Sequence, residues 1–76
     1  MIKNMTISIK NLTDIYNFVA EASKVEQDVI IKRGKFIIDA KSILGIFSID
    51  MSQEVVVSYP ESATDFENFI SQFKIN

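Results

Sequence analysis

The side chains able to do chemistry in this chain are hydroxyls, amides, carboxylates and lysines, because it contains neither histidine nor cysteine. Their absence removes the usual general base at neutral pH, the usual nitrogen ligand for a metal and every thiolate site. Three polar residues stand where a role can be argued. Asn11 immediately precedes an apolar helical pattern, where its side-chain oxygen can accept backbone N–H groups as an N-cap. Its amide nitrogen is no nucleophile, since the lone pair is delocalised into the carbonyl. Asp14 could take up a phosphoryl group as an acyl phosphate, but such sites use a bound metal and a lysine, and no acidic cluster accompanies it. Ser42, between Lys41 and Ile43, opens a second helical run and can cap it. No nucleophile, base and charge stabiliser can be assembled from these residues, so neither an enzyme nor a metal or cofactor site is expected.

Composition narrows the partners. The net charge is −2, with lysine and arginine scattered singly, so no basic stripe is present to neutralise phosphates and nucleic-acid binding is disfavoured. The longest apolar runs, such as Val29-Ile30-Ile31 and Val55-Val56-Val57, are far shorter than the roughly 20 residues that span a bilayer. Neither a signal peptide nor a membrane segment is expected, and a cytoplasmic location is the default. At 76 residues, 47% of them apolar, the expectation is a single domain over residues 1–76 with one small core.

The elements that must position the polar residues follow from periodicity. Met5 to Lys10 alternates apolar and polar, which predicts a strand with Met5, Ile7 and Ile9 facing inward. Leu12, Ile15, Val19 and Ala22 fall on one side of a helix over residues 12–25, with Phe18 at the edge of that stripe. The β-branched and aromatic runs 28–32 and 35–40 flank Arg33-Gly34 and predict a hairpin in which Gly34 supplies a positive φ. Residues 41–47 change to helical spacing, kept short by Gly45. A fourth strand over 53–59 ends at Pro60, and a last helix carries Phe66, Phe69, Ile70 and Phe73 on one face, with Ser62 as its expected cap. The order β-α-β-β-α-β-α predicts an α+β fold, an open-faced β-sandwich with a four-stranded antiparallel sheet and the helices on one face.

Lys41-Ser42-Ile43-Leu44-Gly45-Ile46-Phe47-Ser48 resembles the motif around the regulatory serine of the HPr family, the histidine-containing phosphocarriers of the phosphoenolpyruvate-dependent sugar phosphotransferase system. Phe18 to Val25 resembles the end of that family's first helix, and the Gly34-Lys35 hairpin extends the similarity over most of the chain, although Gly34 stands one residue farther from Ser42 than the family pattern. Counted back from Ala22-Ser23-Lys24, the resemblance puts Asn11 at the phosphorylated histidine, Thr13 at an arginine and Asp14 at a proline. It therefore implies the HPr scaffold without phosphate transfer on histidine.

The resemblance further implies that Ser42 is the target of an HPr kinase, its phosphorylated form binding a transcriptional regulator. A simple helix cap at Ser42 is the alternative, and one residue can be both. Ile43, Leu44, Ile46 and Phe47 are too many large apolar residues for a short helix to bury, so Ile46 is expected in the core and Leu44 and Phe47 outside it. The resemblance implies that Asn11, Ile43, Leu44 and Phe47 form a docking surface for phosphotransferase-system proteins; the alternative has all four apolar residues in the core. Two functions stay open: a docking and regulatory HPr-like protein, or a divergent βαββαβα protein- or ligand-binding module unrelated to sugar transport, which could self-associate.

Overall fold

The computed structural model describes residues 1–75. Strand β1 covers Ile2–Ile7, helix α1 Leu12–Ser23, β2 Ile30–Arg33, β3 Phe36–Asp39, α2 Ile43–Ile46, β4 Val55–Pro60 and α3 Thr64–Ile70, with a 3-10 turn at Ser71–Phe73. The four strands form one antiparallel sheet in the order β1-β4-β2-β3, with the three helices on one face. That is the α+β plan the periodicity predicts.

Register explains the two faces. Met5 lies opposite Val57, Val57 opposite Ile31 and Ile31 opposite Ile38, so one row of inward residues crosses all four strands. The neighbouring row, with Asn4, Ser58, Ile30 and Asp39, belongs to the other face. There the buried Ser58 hydroxyl donates to Asn4 Oδ1. Above the inward face Phe66 of α3 sits between Phe18 of α1 and Tyr59 of β4, with ring centroids 5.7 and 5.8 Å away. The Tyr59 hydroxyl reaches past the core to donate to Glu67 Oε2 at 2.6 Å, and Lys3 Nζ meets the same oxygen at 2.7 Å. Burial beside this carboxylate pushes the phenol well above its ordinary range, while the Lys3 and Tyr59 hydrogen bonds hold Glu67 below its own.

Several sequence expectations are corrected. The first strand runs Ile2–Ile7 rather than 5–10, because residues beyond Ile7 leave β4: Ile9 N–H donates to the Met51 carbonyl at 2.8 Å while its side chain stays buried. Helix α1 ends at Ser23, short of residue 25, where Lys24 and Val25 N–H close onto Glu21 and Ala22 carbonyls. Its stripe is centred on Phe18 and Ala22, both fully buried, whereas Leu12 is 55% exposed. The hairpin strands are shorter than 28–32 and 35–40, at Ile30–Arg33 and Phe36–Asp39. Strand β4 begins at Val55 rather than 53 and includes Pro60, which sits at the strand's end opposite Ile2. The cap of α3 is Ala63 without a side-chain bond, not Ser62, whose carbonyl accepts the Thr64 N–H instead.

The hairpin turn has φ +57° at Gly34 and no positive φ at Lys35, the pattern of a type II′ turn. At the far side of the sheet the chain folds back along β1: Ser8 N–H donates to the Phe73 carbonyl at 3.1 Å and Ile75 N–H to the Thr6 carbonyl at 3.0 Å. No helix among the described residues is long and apolar enough to cross a membrane.

Candidate functional site

Asn11 begins α1 in an extended conformation, φ −105° and ψ 131°, and its Oδ1 accepts the Thr13 N–H at 2.8 Å and the Asp14 N–H at 3.3 Å. Its own carbonyl takes the Ile15 N–H at 3.1 Å. The residue thus spends its side-chain acceptor on helix donors that would otherwise be unpaired, the expected N-cap. Thr13 is exposed and Asp14 half-buried in the first turn, where a carboxylate complements the helix dipole. No group of three or more histidine, cysteine or acidic residues able to hold a metal occurs among the described residues.

Ser42 caps α2 in the same way: its Oγ accepts the Gly45 N–H at 3.0 Å and its carbonyl the Ile46 N–H at 3.0 Å. The turn before it is fixed by Asp39, whose Oδ1 accepts the Lys41 N–H at 2.9 Å and whose carbonyl accepts the Ser42 N–H at 3.0 Å. Gly45 is more than a weak helix former. A Cβ there would lie 2.8 Å from Ile38 Cγ2 and 3.2 Å from Ser42 Oγ, so the glycine lets the short helix press onto β3. Lys41 Nζ donates to the Val25 carbonyl at 2.6 Å, which engages the ammonium at the end of α1.

The apolar neighbours divide as expected for Ile46, Leu44 and Phe47. Ile46 is fully buried, Leu44 is 82% exposed and Phe47 48% exposed, so the reading with all four residues in the core does not hold; Ile43 is half-buried. Phe47 meets Tyr16 edge to face at a centroid distance of 5.9 Å. Tyr16 is itself half in solvent and stands one helical turn after the exposed Leu12. The exposed surface therefore extends from Leu44 and Phe47 on α2 to Tyr16 and Leu12 on α1, joining the helix that Asn11 starts to the one that Ser42 starts. Sequence reasoning missed Leu12 and Tyr16. The available signal was Leu12 and Tyr16 at i and i+4 on a line that does not contain Phe18 and Ala22.

No protein-family model matches the chain, and no curated protein does. Solved structures do. A phosphocarrier protein HPr from Bacillus anthracis str. Ames superposes with a TM-score of 0.71 at 25% identity, over 97% of this chain and 96% of that one. HPr-C-His from Thermoanaerobacter tengcongensis gives a TM-score of 0.74 at 27% identity, over 92% and 88%. A mycoplasma histidine-containing phosphocarrier protein, at 19% identity and a TM-score of 0.68 over 95% and 89%, shares the fold. The chain is thus similar to HPr proteins along nearly its whole length, while containing no histidine.

Proposed function

We propose that this chain is an HPr-like protein of the sugar phosphotransferase system that does not carry phosphate on histidine and acts by docking, with Ser42 as its regulatory site. The observation that supports this reading best is the juxtaposition at α1 and α2. The Asn11 side chain is committed to capping, and the apolar side chains Leu44, Phe47, Tyr16 and Leu12 stand in solvent, with Tyr16 of α1 against Phe47 after α2. Covering one such side chain fully stabilises a complex by about 1.5–3 kcal/mol before the costs of association, enough for two or three of them to anchor a partner.

In this reading Asn11, which the family pattern places at the phosphorylated histidine, holds the start of α1 in shape and forms part of the surface without taking part in transfer. Ser42 sets the charge of the same surface. A phosphate on its Oγ keeps an acceptor for the Gly45 N–H and adds about −1.5 to −2 charge next to Leu44 and Phe47, which changes partner choice more than fold. The partners are other phosphotransferase-system proteins, an HPr kinase, and a transcriptional regulator that selects the phosphorylated form. The work of such a protein is occupancy and competition rather than chemistry.

Incubation with phosphoenolpyruvate and the first enzyme of the system leaves the mass of the protein unchanged; stoichiometric labelling overturns the loss of transfer. A cognate HPr kinase with ATP adds one phosphate that Ser42→Ala abolishes; labelling at any other residue overturns the switch. Leu44→Glu and Phe47→Glu each weaken binding to these proteins at least tenfold. If none of them binds the unaltered chain, the binding module unrelated to sugar transport replaces this reading.

A further inference from the structure

Strand β3 forms one edge of the sheet, and its outer side is open. In a two-residue hairpin Arg33 and Phe36 exchange both backbone hydrogen bonds, so Phe36, Ile38 and Ala40 turn their polar groups toward β2, as the 2.9 Å bond from Ala40 N–H to the Val29 carbonyl reflects. Ile37 and Asp39 therefore turn theirs outward. The Asp39 carbonyl is taken by Ser42 N–H. The N–H and carbonyl of Ile37 and the N–H of Asp39 are left for a strand outside this sheet. Two large apolar side chains, Phe36 at 63% and Ile37 at 66% exposure, stand on the same short strand.

The segment Lys35-Phe36-Ile37-Ile38-Asp39 is complementary to itself when read antiparallel. With Ile37 opposite Ile37 of a second copy, Lys35 meets Asp39, Phe36 meets Ile38, and the two-fold axis repeats both pairs. Ile37 and Asp39 share one face of β3, and Lys35 closes the turn that leads into it, so the opposite charges stand at the two ends of the paired segment and flank the apolar pair. Asp39 is prepared for this contact: its Oδ1 is held by the Lys41 N–H at 2.9 Å, which fixes the carboxylate and leaves its second oxygen free to accept. Slipping the register by two residues places Asp39 against Ile37 and unpairs a lysine, so the centred register is favoured by each pair at once.

We propose that a second copy of this chain adds to β3 about a two-fold axis at Ile37, joining two four-stranded sheets into one. The contact is made through the backbone edge of β3 rather than through Leu12, Tyr16, Leu44 and Phe47, and stands whether or not the chain docks phosphotransferase-system proteins. Two short strands bury less than the roughly 1,200–2,000 Å² of a stable complex, so the dimer is transient and fills at high protein concentration.

Sedimentation equilibrium on the full chain tests it. The apparent mass rises from monomer toward twice that value with concentration. Ile37→Glu and Ile37→Lys, each placing like charges at the axis, abolish the rise, and their equimolar mixture restores it because unlike charges then meet. The position is two-thirds exposed, and circular dichroism checks that both variants fold. Should either unfold, a concentration series of amide NMR shifts on the unaltered chain decides, with changes expected at residues 35–39. A monomeric mass at the highest concentration, undiminished association of Ile37→Glu, a mixture that stays monomeric, or shifts confined to other residues overturns the proposal.

Discussion

Replacing Gly45 by alanine ought to stabilise a helix: alanine is favoured over glycine in a helix interior by about 1 kcal/mol. Here the opposite sign is expected. The new Cβ would meet Ile38 Cγ2 at 2.8 Å, closer than carbon atoms approach, and Ile38 is β-branched, so its Cγ2 cannot swing aside without changing χ1 inside a packed sheet. Overpacking of this kind costs about 1–3 kcal/mol. The same Cβ would lie 3.2 Å from Ser42 Oγ, the atom that accepts Gly45 N–H at 3.0 Å, so relief in that direction strains a cap worth about 1 kcal/mol. Against the gain in propensity, overpacking alone leaves a net loss of up to about 2 kcal/mol, and up to about 3 kcal/mol where the cap gives way as well, with alanine the worse residue. Urea unfolding at constant slope measures it, and heating shows a Tm lower by roughly 4–8 °C per kcal/mol for a chain of this size. Ile38→Leu has no Cγ2, so the double variant Ile38→Leu/Gly45→Ala recovers part of the loss relative to the two single changes added together. A Gly45→Ala protein as stable as the parent, or more so, or an absence of coupling with Ile38, refutes the close-approach argument.

Three further outcomes follow from other contacts. Asn11→Ala leaves the N–H groups of Thr13 and Asp14 without their acceptor and lowers stability by about 0.5–2 kcal/mol in urea unfolding, whereas Asn11→Asp keeps the cap and loses little. Leu44→Glu, at a position 82% exposed, leaves the urea midpoint almost unchanged while weakening docking, which separates surface from core. Glu67 is held below its ordinary pKa by Lys3 and then Tyr59, so the unfolded state binds the proton more readily; the stability this provides is complete above about pH 4.3 and lost as pH falls through the lower folded value. Glu67→Gln therefore flattens the acid limb of a stability–pH curve.

Residues whose role depends only on their chain neighbours were legible in the sequence. Gly34 between two β-branched runs, Asn11 before a helical pattern and Ser42 three residues before Gly45 do what their types predict, because turns and caps are local devices. Element ends and exposed faces were not, because they depend on partners distant in sequence. Leu12 fits the periodic stripe of α1 but is its first residue and remains in solvent, while Phe18 takes the centre by packing on Phe66, which is far along the chain. Ser62 has the type of a cap, yet the backbone enters α3 at Ala63, where the Ala63 carbonyl accepts Glu67 N–H at 2.9 Å. In the candidate site, α2 was readable down to which residue is buried; the contribution of Tyr16 was not, since it arises from a ring on another helix. Likewise Gly45 read as a weakness until Ile38 was seen against it.

The return of the chain along β1 makes the two margins of the sheet unequal. Bonds from Ile75 N–H to the Thr6 carbonyl and from Ser8 N–H to the Phe73 carbonyl occupy the second half of that margin, while on the outer side of β3 only the Asp39 carbonyl is taken, by Ser42 N–H. Head-to-tail stacking, in which β3 of one molecule joins β1 of the next, would grow without limit into a fibre, but it would have to displace those bonds at every step. Like pairing with like consumes the open margin of both molecules and stops. A sheet with one margin partly occupied thus disfavours its own head-to-tail polymerisation relative to closed pairing of two β3 strands.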